Sequence, residues 1–172
     1  MTIKLDHTDI KILSALQQNA RISNAELSIK VNLSQTPCLR RLRKLEQSGL
    51  IEQYSVVLNH QRLGINVAAL VFVKLEKNTS SNAAEFEDAI DQLSEVTECC
   101  TLAGAHDYVL RVLTHDLTSF ERFLKDKLAN VKMIEDIQST IILNQVINKA
   151  PPLTYAIDLQ SQLLVTRFTN PP

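Results

Sequence analysis

Glycine and cysteine are both scarce in this chain, at three residues each in 172. The cysteines, Cys38, Cys99 and Cys100, are an odd count with two adjacent, which gives no disulfide scaffold and fits a reducing, cytoplasmic setting. An N-terminal apolar run that could act as a signal sequence is missing, because Lys4, Asp6, Asp9 and Lys11 interrupt it. The longest apolar run, Val67 to Val73, falls far short of the roughly 20 residues that span a bilayer, so no membrane partner is expected. The histidines, His7, His60, His106 and His115, show no metal-ligand spacing, and no nucleophile motif accompanies them. No cofactor, no metal and no catalytic residue are therefore expected. Net charge is nearly absent as well: at −1 overall it gives no reason to expect a polyanion.

Its distribution gives one. Residues 1–62 carry nine Lys or Arg against five acids, whereas the remaining residues carry nine against fourteen. A basic module that meets nucleic acid and an acidic module with another task are implied. With 45% hydrophobic residues the chain has room for one ordinary domain or two small ones.

The basic module centres on Val31 to Ile51. Ser34 is placed as an N-cap, Pro37 falls in the first turn where its missing N–H costs little, and Gly49 closes the helix. At about 100° per residue, Leu39, Leu42 and Leu45 share an arc with Cys38 at its edge. Arg40, Arg41 and Lys44 lie opposite, with Arg43 on the flank. Upstream, Ser23 and Glu26 fit a capping box that opens a short helix to about Val31, and Asn32-Leu33 makes a tight connection. Two such helices form a helix-turn-helix, the second positioned for a DNA major groove. A preceding helix, capped by Asp6 and with Ile10, Leu13 and Leu16 on one face, completes the unit. Leu50 to Leu58 reads as a strand, the wing, and Asn59 to Gly64 as a short linker.

Beyond Asn66 the pattern changes. Strands are expected at Val67–Leu75, Val96–Ala103, Tyr108–Thr114 and Ile137–Val146. Ala83, Phe86, Ile90 and Leu93 mark one helix, and Leu117, Phe120, Phe123, Leu124 and Leu128 a second. The order βαββαβ is a ferredoxin-like unit, an antiparallel sheet with two helices on one face. The other face needs cover, so two chains are expected to pair there or edge to edge. The fold class is α+β: a winged helix-turn-helix domain at 1–62, a ferredoxin-like domain at 63–150 and a tail at 151–172 that either docks on a neighbouring subunit or frays.

The motifs, taken together, resemble the Lrp/AsnC (feast/famine) family of transcription regulators. They are Leu5-Asp6 with Asp9 and Ile12-Leu13; Ala20 to Asn24 with Glu26 to Ser28; Leu33-Ser34 with Thr36 to Leu39, Arg41-Leu42 and Leu45-Glu46; Gly49 to Ile51 with Tyr54; Glu98-Cys99; and Gly104 with Asp107-Tyr108 and Leu110. Motifs of both modules appear in family order over about residues 5–148. The resemblance implies a winged helix-turn-helix joined to a RAM/ACT-like effector-binding and assembly domain. It also implies dimers that build into octamers, imperfect palindromes of promoter DNA as targets, and an amino acid or related metabolite bound between subunits.

Carried onto this chain, DNA contacts fall to Ser34, Gln35, Thr36 and Pro37 at the helix start, and to Arg40, Arg41, Arg43 and Lys44 along it. The effector site falls to Leu102, Gly104, Ala105, His106, Asp107 and Tyr108 of the hairpin turn, with Gln138 and Thr140 of the final strand. Asp107 either accepts from a ligand ammonium or caps the turn; Gly104 either lets a ligand approach closely or supplies a positive φ. His106 departs from the small, acidic or aromatic residues often found there, and taken alone reads as a solvent-facing turn residue. Two other readings share the architecture: an enzyme like the sirohaem decarboxylases, and an architectural DNA binder without an effector. A redox sensor at Cys99 and Cys100 is disfavoured, because a strand points neighbours to opposite faces; buried structural thiols fit better.

Overall fold

A computed structural model of the chain describes residues 5–153. The expected tail falls largely outside the described residues. Two compact units emerge, one from residues 5–57 with 148–153, the other from Leu58–Ile147.

The first unit is three helices, α1 (His7–Gln18), α2 (Asn24–Lys30) and α3 (Gln35–Gln47). Local hydrogen bonding starts two of them. Asp6 accepts from the Asp9 N–H while Asp9 accepts from the Asp6 N–H, and Ser23 with Glu26 repeats the arrangement. Asn32, at φ 57°, makes the tight turn between α2 and α3, and Gly49, at φ 74°, ends α3 as a left-handed C′ residue. Ile12, Leu27, Cys38 and Leu45 are almost wholly enclosed, each apolar side chain contributing about 1.5–3 kcal/mol by leaving water. Cys38, expected at the edge of the α3 apolar arc, is at its centre; Leu39 is only half-buried. Cys38, Leu42 and Leu45 are spaced four and three apart, the tighter helical match.

The wing differs from expectation. Residues 51–58 run extended but form no ladder among the described residues, and Val56, Val57 and Leu58 are 75%, 89% and 55% exposed. A strand needs a neighbour to take its N–H and C=O groups, and this segment finds none among the described residues. Ile51 packs against the core of the first unit, and Tyr54 donates to Glu46 of α3 at 2.8 Å.

The second unit has β1 (Val67–Leu75), α4 (Ser80–Asp91), β2 (Val96–Thr101), β3 (Tyr108–Thr114), α5 (Leu117–Arg122) and β4 (Ile134–Ile141). The helix of α5 continues through a π turn at Phe123–Lys127 and a 3-10 turn at Leu128–Asn130. The sheet is antiparallel in the order β2-β3-β1-β4, as a ferredoxin-like unit requires. Alternation decides its faces. Ala69, Val71, Val73, Leu110 and Val112 are fully buried against Phe86, Ile90 and Phe123, while Leu70, Phe72, Val109 and Leu113 on the other face are only half-buried. β4 begins and ends earlier than expected, because its ladder is limited by β1: Ile134 pairs with Leu75 and Ile141 with Ala69. Leu143, Val146 and Ile147, expected in or next to the strand, are instead exposed.

Cys99 and Cys100 overturn the buried-thiol expectation, since both are exposed. They lie on β2, a strand paired on one side only, and point to opposite faces, Cys99 opposite Leu110 and Cys100 opposite Val109. Partial burial of its sulfur, then Glu87 and Cys100 nearby, push the Cys99 thiol up, away from the reactive thiolate.

Candidate nucleic-acid interface and effector face

Helix α3 differs from its neighbours at its N-terminus. α1 and α2 each carry an acid in the first turn and a full capping box; α3 has neither. Ser34 occupies the N-cap position with extended dihedrals, but its hydroxyl makes no cap hydrogen bond. The expected cap is thus absent, and first-turn N–H groups with the positive end of the dipole are left for an anion. Ser34, Gln35 and Thr36 are exposed here, with Pro37 half-buried behind them.

Along the helix, Arg40, Arg43 and Lys44 are exposed and form no ion pair among the described residues. Three uncommitted cations on one side of a helix can bind phosphate or read guanine. Arg43, expected on the flank, belongs to this exposed set. Arg41 does not. Its Nη1 donates to Asp6 Oδ2 at 2.5 Å and to Asp9 Oδ1 at 2.8 Å, with the Asp9 side chain 7% exposed. These bonds to the two carboxylates raise the guanidinium pKa further above its usual value. Burial opposes ionisation of Asp6, but the Asp9 N–H and Arg41 outweigh it and hold that carboxyl below its ordinary range. Arg41, expected to clamp phosphate or read guanine, instead ties α3 to the start of α1.

A residue without an expected role also contributes. Asn24 donates from Nδ2 to the Gln35 carbonyl at 3.1 Å, joining the first turns of α2 and α3, while its buried Oδ1 has no partner. The signal available in the sequence was only its place after the Ser23 cap.

In the second unit, the expected effector residues divide between two faces. Gln138 is opposite Phe72 and Thr140 opposite Leu70, on the half-covered face. His106 reaches the same face from the β2–β3 turn, its ring 5.5 Å from Phe72 and its Nε2 4.0 Å from Asp136. It is half-buried on an aromatic ring, not the solvent-facing turn residue expected. Gly104 and Ala105 are exposed, Leu102 is half-buried, and nothing lies within 4 Å of where a Gly104 Cβ would sit. Gly104 is not among the positive-φ residues, so neither its backbone conformation nor packing among the described residues calls for a glycine there.

Asp107 and Tyr108 are committed elsewhere. The Asp107 carboxylate accepts from the Leu75 N–H at 2.8 Å and from Asn78 at 2.7 Å, and its own N–H donates to the Val73 carbonyl. It fixes the end of β1 and the loop after it, which is more than a simple turn cap. Tyr108 is buried on the helix side, 4.6 Å from the Phe86 ring, and donates to Glu87 at 2.8 Å. Burial, then the Glu87 carboxylate, push its phenol up to about 12.

No helix among the described residues is long and apolar enough to cross a membrane. Residues 5–52 match the model of a winged helix-turn-helix DNA-binding domain, and residues 68–152 that of the Lrp/AsnC ligand binding domain. The proline dehydrogenase transcriptional activator of Rhizobium radiobacter is 38% identical over 84% of this chain and 93% of its own length. The leucine-responsive regulatory protein of Escherichia coli K12 is 34% identical over 83% of this chain and 87% of its own. A transcriptional regulator of Neisseria meningitidis, solved in complex with L-methionine, superposes with a TM-score of 0.85 at 34% identity, over 89% of this chain and 99% of that one. With helix α3 freed for DNA, a sheet face left half-covered and both modules matched in order, the chain belongs to the Lrp/AsnC family of DNA-binding transcription regulators.

Proposed function

We propose that the chain regulates transcription by binding an imperfect palindrome of promoter DNA as a dimer, with an amino acid held between subunits setting its occupancy. The observation that carries the DNA half is the exposed, unpaired set Arg40, Arg43 and Lys44 behind an uncapped helix start at Ser34. Two copies of α3 then enter successive major grooves, Ser34, Gln35 and Thr36 nearest the bases and the three cations on phosphate or guanine. Sequence preference at these positions distinguishes this reading from that of an architectural binder.

The effector half rests on the half-covered sheet face. His106, Gln138 and Thr140 offer polar groups beside Leu70, Phe72 and Val109, and the exposed backbone at Gly104 and Ala105 can donate to a carboxylate. A second copy laid over this face, and dimers joined onward into an octamer, would enclose such a ligand; the amino-acid complex of the Neisseria relative favours that class. A role as regulator rather than catalyst, in the cytoplasm, follows from the same reading.

The test is a titration of purified protein onto its own upstream DNA and onto unrelated DNA, at two salt concentrations, with and without each of a panel of amino acids. Preference for its own promoter, shifted by one amino acid, is expected. Equal affinity for both DNAs, unmoved by every amino acid, would refute the proposal.

A further inference from the structure

A groove of about 500 Å³ lies in the second unit, between the end of β3, the start of β2 and the helix following α5, and shares only Leu113 with the residues named on the half-covered sheet face. Its volume is in the range of small-molecule sites. One wall is Leu63 and Ile65, and Phe123 and Leu113 supply further apolar surface. Leu63 stays 53% exposed, an apolar side chain with room beside it.

The wall is held in advance by backbone bonds. Gly64, at φ 76°, closes the Gln61–Leu63 turn; its carbonyl is 2.9 Å from His115 Nδ1, and the Asn66 N–H donates to the Thr114 carbonyl. The segment is therefore strapped onto β3 before any ligand arrives, so little ordering is left to oppose binding.

The charges in the groove are unequal in availability. Lys127 donates to Glu95 at 2.6 Å, so the two charges largely offset each other. Arg122, also lining the groove, has no ion pair among the described residues. Ser94 and Ser119 add hydroxyls. One free guanidinium above an apolar floor suits an anion with a hydrocarbon tail. Glu95, the one carboxylate lining the groove, already faces Lys127 and accepts from Ser94, so an ammonium gains less there than a carboxylate gains at Arg122.

We propose that this groove binds a small carboxylic acid with an apolar tail, its carboxylate on Arg122 and its tail against Leu63, Ile65 and Phe123, in preference to the matching amino acid. The site is separate from the sheet face proposed for the effector and does not depend on it.

Isothermal titration of the full chain with 4-methyl-2-oxopentanoate, L-leucine and acetate tests it. Saturable binding of the oxo acid is expected, with acetate at least about tenfold weaker for want of a tail. Arg122→Gln weakens the oxo acid by about tenfold or more, Arg122→Lys by less, and Ser119→Trp, which fills the groove, removes binding. Circular dichroism of each variant verifies the fold, and the paired variant Gln138→Ala with Thr140→Val keeps the oxo-acid site. Binding unchanged in Arg122→Gln, binding lost instead in the sheet-face variant, or no saturable binding of any probe would overturn the proposal. Leucine binding more tightly than the oxo acid, in an Arg122-dependent way, would overturn the preference for a carboxylic acid.

Discussion

Arg41→Ala separates a structural cation from a DNA-binding one. In the folded unit its Nη1 bridges Asp6 and Asp9, 35 and 32 residues away in the chain, at 2.5 and 2.8 Å. Removing it leaves Asp9 Oδ1 without its donor in a side chain only 7% exposed, while the Asp6 N–H remains on Oδ2. Breaking a fully buried pair costs about 3–5 kcal/mol. Water reaches Arg41, 33% exposed, and Asp6, 51% exposed, which lowers the expected loss to about 1–3 kcal/mol. For a unit of this size that corresponds to a fall in Tm of roughly 4–20 °C. Calorimetry of the full chain reads the transition, and DNA titration well below it reads the salt slope. Arg40→Ala and Arg43→Ala should do the reverse: stability within about 0.5 kcal/mol of the parent, and a slope reduced by about 0.9 for each lost phosphate contact. The pH dependence follows from Asp6, whose folded pKa is depressed. Its contribution is complete above the ordinary aspartate value of about 3.9 and is lost as pH falls through the lower folded value, a loss that Arg41→Ala diminishes. Parent-like Tm in Arg41→Ala together with a reduced salt slope would refute the tie and restore Arg41 to the DNA interface.

Asp107→Ala strands the Leu75 N–H and frees Asn78, so the second unit should lose about 1–3 kcal/mol, seen as a lower urea midpoint; an unchanged midpoint would contradict the anchoring role. Tyr54 and Tyr108 both have phenols raised to about 12 by burial and then by Glu46 and Glu87, so their contributions are complete below pH about 10 and fade between there and 12. Absorbance titration should show late ionisation that Tyr54→Phe and Tyr108→Phe each reduce, and ionisation of both near 10 before unfolding would be contrary evidence. Asn24→Ala removes the bond to Gln35 together with the unpartnered Oδ1, so stability should move by less than about 1 kcal/mol while the ratio of specific to non-specific DNA affinity falls; a preserved ratio would count against positioning by Asn24.

What could be read directly from the chain was local. The Asp6 cap, the Ser23–Glu26 box, the Gly49 stop and the apolar strand β1 involve neighbours within a turn or a strand, and the structure realises each. What could not be read depends on distant partners. Arg41 has the same residue type as Arg40, and only the return of α1 to its side distinguishes them. Asp107 likewise finds its partners 29 and 32 residues away. The strand expected at Leu50–Leu58 and the end of β4 differ from the sequence pattern for a related reason: β propensity marks residues willing to be strands, but a ladder exists only where another strand supplies its other half. Cys99 and Cys100 show the converse, small apolar residues left exposed on an edge strand among the described residues.

On the proposed reading, the same incompleteness would give an effector its means of control. Leu70, Phe72, Val109 and Leu113 make the half-covered face worth burying, but Arg111, His106, Gln138 and Thr140 stand among them. Arg111 donates to Gln145 at 3.2 Å, and His106 is 4.0 Å from Asp136, whereas Gln138 and Thr140 make no side-chain hydrogen bond among the described residues. A second copy covering this face gains apolar burial but desolvates those groups, at about 1–3 kcal/mol for each one left unpaired. An amino acid brings a carboxylate and an ammonium that can pair with two of them. Relieving two such penalties is worth about 2–6 kcal/mol, enough to shift an assembly equilibrium by about 30-fold or more. Ligand affinity and assembly are then a single linked equilibrium, so the effector must bind more tightly at higher protein concentration, and by the same factor it must strengthen association.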